Sequence, residues 1–453
     1  ARQCADQPLS PIVEITPKTL PRQRDVTSMN TSNAPAGTIR AALRYPDFRR
    51  LLSALAVSQI GDWLYNLALV VLVYDRTHSP LWAGATTAAR IVPIVALGPL
   101  GGLLADRFDR RRIMIFSDVT RMGLMVLLAA VAAARLPILL APVIAAMATA
   151  AAAPYLPCVA AVTPRVVEDA DLPSANAARS AVTGVSIIAG PVLGGVLLLL
   201  GSSAVAFALN ALTFGLSALA VLAIRDGAAF RSARAAVRPA GLLGEIAQGA
   251  AALRAHPRAL RLVGADITCS ILYGTQTVLL LLVSRRIGLG VHGYGYLFAA
   301  VGAGGLLGTT LAGRAIRCPH PRYVLAAAMV AGGLPMVLLA VVRWPAAAIF
   351  LTGVTGVGAL LVEILTETSL QRELDEEVFG RAYGLALPAS LGGIVAGSLI
   401  APLLTGALGG SGALVAVGGT VLVYAAAMLR PAPDVSGATA ASQPAIAGAV
   451  PAR

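Results

Sequence analysis

Gly102-Leu103-Leu104-Ala105-Asp106-Arg107-Phe108-Asp109-Arg110-Arg111-Arg112 is a short basic turn set between two long apolar runs. Upstream, residues 81–105 carry a single charge, Arg90; downstream, residues 113–134 carry only Asp118 and Arg121. A helix crossing a hydrocarbon layer of about 30 Å needs roughly 20 mostly apolar residues. Two such runs joined by an arginine-rich turn read as two membrane helices with a cytoplasmic link, because that side retains the positive charge.

The pattern recurs along the chain. Apolar runs lie near 51–74, 81–105, 111–134, 136–162, 174–200 and 203–224, then near 260–283, 291–313, 323–342, 344–369, 378–406 and 409–429. The connection 225–259 separates two sets of six and carries Arg225, Arg231, Arg234, Arg238, Arg254 and Arg258. Arginines gather after the even-numbered runs, at 107–112, Arg165, Arg314, Arg317, Arg322, Arg372 and Arg381, and are sparse on the other side, at Arg76, Arg135, Arg285, Arg286 and Arg343. Both termini are therefore predicted to be cytoplasmic in a multi-pass cell inner-membrane protein, with Trp82 and Trp344 as interfacial anchors on the outer side. The expected fold is an all-α membrane protein of 12 transmembrane helices in two pseudo-symmetric six-helix bundles, 49–224 and 260–430. The flanking stretches 1–48 and 431–453 are too low in complexity to fold alone and are expected to be disordered, with Met29 as a candidate true start.

Composition excludes several other classes. The chain of 453 residues is 57% hydrophobic and 13% charged, against roughly 25% charged in soluble domains. Its net charge of +13 lies in turns between apolar runs, so nucleic acid is not an expected partner; the bilayer and a small molecule are, for a chain acting as a monomer. Cys4, Cys158, Cys269 and Cys318 form no CxxC pair, so neither a metal site nor a disulfide framework is indicated. No phosphate-binding G-x-x-x-x-G-K-[ST] occurs, and no His or nucleophile constellation suggests an enzyme. No cofactor is expected, which leaves the proton gradient as energy source.

The two sets of six also align with each other. Val73-Tyr74-Asp75-Arg76 matches Val283-Ser284-Arg285-Arg286, Leu104-Ala105-Asp106-Arg107 matches Leu311-Ala312-Gly313-Arg314, and Asn66 falls opposite Gln276. Internal symmetry of this kind marks transporters built from repeats.

Over Arg44 to Arg430 the chain resembles the major facilitator superfamily, whose signature turn between helices 2 and 3 is matched by Gly102, Asp106, Arg107, Arg110 and Arg111, with Asp109 at the place of the second glycine. The segments Leu172 to Ala177, Gly190-Pro191-Val192-Leu193-Gly194-Gly195, Asn210 to Phe214 and Phe379-Gly380-Arg381 are similar to its drug- and siderophore-exporting branch. The resemblance implies a conformational latch at Gly102, Asp106, Arg107, Arg110, Arg111 and Arg381, one-sided because Gly313 replaces the acid in the second half. It also implies an antiport motif at Gly190, Pro191, Gly194 and Gly195. The physics of that run, close helix contact at glycine and a bend at proline, serves packing equally well.

Ionisable groups inside a bilayer are costly and invite a functional reading. Gln59, Asp62, Tyr65 and Asn66 share one face of the first run, with Asp62 either a proton or cation site balanced by Arg90 or a fixed structural ion pair. Asp266, on a face with Tyr273 and near Gln276, is the equivalent candidate in the seventh run. Glu363 is a third candidate, while Glu367, one turn on, reads as a solvated boundary residue; Asp118 and Arg121 read as mutually neutralising. Few buried charges and the rings of Trp63, Tyr65, Tyr155 and Tyr273 favour a bulky amphipathic ligand. The expected activity is proton-coupled export by alternating access, with uptake, lipid movement or a transport-inactive receptor as the alternatives.

Overall fold

Proline opens five of the long helices, where its missing N–H costs nothing and its fixed φ suits the first turn. The computed structural model describes residues 39–200, 202–225, 227–230, 250–251, 253–290 and 293–430, all within the unit Ala36–Arg453. The side-chain environments of some helical residues, Asp106, Pro191, Gly195 and Arg381 among them, lie outside that description. The long helices are α1 (Pro46–Thr77), α2 (Pro80–Arg107), α3 (Arg110–Ala133), α4 (Leu140–Val166), α5 (Leu172–Leu200) and α6 (Ser203–Leu222). They continue with α7 (Pro257–Arg286), α8 (Gly293–Ala315), α9 (Pro321–Leu339) and α10 (Pro345–Glu373), then the stretch Glu376–Leu429.

That last stretch is interrupted only at Gly409, whose φ of 72° and ψ of 169° suit a residue without Cβ. Its two arms, α11 (376–408) and α12 (410–429), run in opposite directions. Ser390 bonds Asp266 and Ser411 bonds Arg286, so α11 ascends alongside α7, yet Tyr424 is back at the Arg261 carbonyl. Among the described residues, ten helical segments are long and apolar enough to cross a bilayer, with the arms at Gly409 counted together, and no strand occurs.

α1 and α7 form the centre: Leu64 to Tyr74, apart from Asn66, and most of Leu272 to Ser284 are buried. The outward faces are apolar, with Phe116, Phe350, Leu403 and Val423 among the most exposed residues, as a chain solvated by hydrocarbon requires. Between the first and second six helices the main packing is α5 on α8 and α2 on α11. A Cβ at Gly84 of α2 would lie 2.1 Å from the Ser398 carbonyl of α11, so only glycine allows this approach.

Two expectations need correction. The tail does not run to residue 48: Ile39–Ala42 forms a helical turn and α1 starts at Pro46, because Ala42 and Phe48 bury themselves against Val167, Ala175 and Ala178. Arg44 and the Tyr45 hydroxyl both bond Asp171, pinning this entrance to the start of α5. The fourth run is not one regular helix either: it divides into Leu140–Ala152 and Tyr155–Val166 around Pro154, which has no N–H to give to the preceding turn. The Ala151 carbonyl there accepts the Ser117 hydroxyl at 2.8 Å, and Gly101 of α2 packs on Ala153. The stretches 1–38, 231–249 and 431–453, which hold the candidate start, most of the central loop and the C-terminal tail, lie outside the described residues.

Candidate substrate and proton path

Arg121 of α3 organises the first six helices. One guanidinium nitrogen donates to Asp62 of α1 at 3.1 Å and the other to Asp118 and Ser58, each at 2.9 Å. Ser217 of α6 donates to the second Asp118 oxygen at 2.6 Å and exchanges a hydrogen bond with the Tyr155 hydroxyl at 2.9 Å. The guanidinium stacks 4.0 Å from the Phe214 ring centre and 5.1 Å from that of Tyr155. Asp118 is 0% exposed and Arg121 2%, so the ion pair is dry; hydroxyls and ring faces surround it, while the Arg121 Nε–H has no hydrogen-bond partner.

The reading of Asp62 as balanced by Arg90 is thereby revised, since Arg121 is the base bonded to it. Arg90 instead lines the same cavity of about 290 Å³, together with Gln59, Asp62, Trp63, Tyr65 and Asn66. The polar face read from the first run is thus assembled on one cavity. Gln59 donates to Thr183 of α5 at 2.9 Å, and the buried Asn66 carbonyl oxygen has no hydrogen-bond partner.

A second cavity, of about 300 Å³, lies among α7, α8, α10 and α11. Asp266, Tyr273 and Glu363 all line it, so these three predicted residues from α7 and α10 are brought together. Glu367, read as a boundary residue, faces the same space, one turn beyond Glu363. Ser390, which no sequence signal singled out, donates to Asp266. Trp63 of α1 lines both cavities and forms the wall between them. Gln276 does not join either; it is buried at 1% exposure among helices, its carbonyl oxygen without a partner.

The cavity floor is at mid-helix, around Tyr273 and Ile394, and its lining extends to Val263, Leu370 and Tyr383, within about two turns of the helix ends near the basic turns. At the opposite end Arg285 of α7 donates to the Tyr74 hydroxyl of α1 at 2.9 Å and lies over its ring.

Around the opening turn, Asp109 caps α3 by accepting the Arg112 N–H at 3.0 Å, which explains an acid at the place of a glycine. Arg110 is buried and donates to the Ala105 carbonyl at 3.1 Å, closing α2 onto α3. Arg111 donates to the Leu222 carbonyl at the end of α6 and lies over Phe230; Arg107 is exposed. Gly102 meets nothing within 4 Å, whereas a Cβ at Gly190 would stand 2.1 Å from that of Trp63, and one at Gly194 2.7 Å from the Leu67 side chain. The side chains of Asp106 and Arg381, the two sides of the expected latch, and of Pro191 are outside the described residues.

A family profile described as transmembrane secretion effector matches residues 37–447. The MFS-type transporter YfiS of Bacillus subtilis is 28% identical over 363 residues, covering 78% of this chain and 86% of that protein. A protein of Mycobacterium bovis named multidrug efflux pump Tap is 25% identical over 387 residues, covering 82% and 90%. Among solved structures, a point mutant of the nucleoside transporter NupG superposes with a TM-score of 0.69 at 14% identity, covering 85% of this chain and all of that one. That likeness is of fold.

Proposed function

Because the chain belongs to the transmembrane secretion effector family of the major facilitator superfamily, and is a membrane transporter rather than an enzyme, we propose that it is a proton-coupled exporter of small amphipathic compounds. It crosses the inner membrane twelve times: the ten segments above, with α11 and α12 counted separately and α5 added. The halves 49–224 and 260–430 rock about the central α1 and α7, with both termini and the basic turns cytoplasmic. On this reading the structure is the inward-facing state, closed outside by Tyr74 and Arg285.

The observation that carries the proposal is the cavity bearing Asp266, Glu363 and Glu367 among helices that face lipid. A carboxyl in such a site has a function by default. Moving one charge through 100 mV is worth about 2.3 kcal/mol, so a carboxyl that exchanges its proton for substrate has a usable driving force. The name of Tap supports the outward direction. We assign Asp106 and Arg381 to a cytoplasmic latch of the outward-facing state, since a carboxylate is favoured at a helix N-terminus.

Reconstitution into liposomes with an imposed pH gradient, scanning dyes and antibiotics, tests the proposal. Gradient-driven accumulation is expected, and loss of the gradient dependence on Glu363→Gln or Asp266→Asn. Equal fluxes with and without the gradient would contradict proton coupling.

A further inference from the structure

The two cavities differ in charge in a way that bears on the ligand. In the first, Asp62 and Asp118 are answered by Arg121, and Arg90 stands beside them. In the second, Asp266, Glu363 and Glu367 line one space, and among the described residues no Lys, Arg or His lines it with them. None of the three forms an ion pair in the described part of the molecule. Among the described residues, the Asp266 carboxylate receives only the Ser390 hydroxyl.

A second observation points to a ligand. Thr366, on the same face of α10 as Glu363, is 3% exposed, lines this cavity, and its hydroxyl has no hydrogen-bond partner. Buried hydroxyls are nearly always bonded, so an orphan on a cavity wall marks where a ligand atom belongs. The remaining wall is apolar and aromatic, with Trp63, Tyr273, Phe298 and Tyr383 presenting rings. Rings beside carboxylates form the cage that an organic cation seeks, since the ring face is the negative end of its quadrupole.

We infer that the cavity between α7, α10 and α11 is a binding site for monovalent organic cations with an aromatic or aliphatic body, held by Asp266 and Glu363, with Thr366 bonding a polar hydrogen of those that carry one. An anion of the same size is disfavoured, because three carboxylates and, among the described residues, no basic side chain line the site. This names the substrate class of the exporter proposed above and rests on that reading for the cavity's role in transport.

The test is equilibrium binding to the purified full-length protein in detergent, which needs no gradient. Tetraphenylphosphonium should bind saturably and tetraphenylborate, its size-matched anion, at least tenfold more weakly. Glu363→Gln and Asp266→Asn should each weaken tetraphenylphosphonium at least tenfold; two variants on different helices guard against one that fails to fold. Thr366→Val should weaken ethidium, which carries amino hydrogens, severalfold and leave tetraphenylphosphonium unchanged. Tetraphenylborate binding as tightly as the cation, or both carboxyl variants binding tetraphenylphosphonium within twofold of wild type, would overturn the inference. A cation bound yet not moved in proteoliposomes supports this site and sinks export alone. Gradient-driven export of neutral solutes without cation binding sinks the site alone.

Discussion

Arg121 illustrates what a charged side chain requires inside a bilayer. Two carboxylates, a hydroxyl and two ring faces surround it, so both terminal nitrogens are bonded and only the Nε–H is without a hydrogen-bond partner. Breaking a buried ion pair by removing one partner costs about 3–5 kcal/mol, because the other charge stays buried. Asp118→Leu is therefore expected to lower the melting temperature of the purified protein sharply. Asp62→Asn, at a carboxyl that is 38% exposed and holds one arm of the same arginine, should lower it far less. Similar melting of the two variants would refute the dry-pair description. The sequence exposed these groups individually, because charge stands out in an apolar run. It exposed the Asp118–Arg121 pair, one turn apart on α3, but not the share of Asp62 in it: Asp62 and Arg121 lie on helices whose rotation about their axes is set by packing. Ser217 and Ser390 carry no signal at all, since a serine is unremarkable in a membrane helix.

At the scale of elements, the glycines of α2 and α5 separate packing from motion. Gly190 leaves no room for a methyl group beside Trp63, while Gly98 and Gly102 face open space. Gly190→Ala is expected to force α5 away from α1 and reduce both folded yield and turnover. Gly98→Ala should leave yield and melting within experimental error. Gly102→Ala tests the turn: unchanged melting with reduced transport assigns this glycine to a contact made in the other conformation, and unchanged transport removes it from the latch. The long helices were legible because their length and apolarity follow from bilayer thickness. The division of α4 at Pro154 and the direct passage of α11 into α12 at Gly409 were not. A proline inside an apolar run often only bends the helix, and one glycine among the many of Glu376–Leu429 gives no sign that it is the residue of that stretch to adopt positive φ.

At the scale of the whole molecule, α1 and α7 meet at one end through Tyr74 and Arg285 while the second cavity reaches toward the other. Tyr74→Phe removes the acceptor and keeps the ring, so the closed outer end should weaken without unfolding. The expected result is faster reaction of a cysteine at Leu81 with an impermeant thiol reagent. An unchanged rate would show that the contact does not hold the gate. The repeat in the sequence anticipated that α1 and α7 are counterparts, but the unequal charge of their cavities emerges only when α10 and α11 are placed beside α7. Alternating access itself is tested most directly by pulsed electron paramagnetic resonance on two spin-labelled pairs in a background lacking Cys4 and Cys318. Leu81 and Leu408 report the outer end, Leu222 and Tyr323 the inner, and all four are exposed. Under an imposed pH gradient with substrate, the outer distance should lengthen as the inner one shortens; distances that stay fixed, or that change together at both ends, would contradict the account.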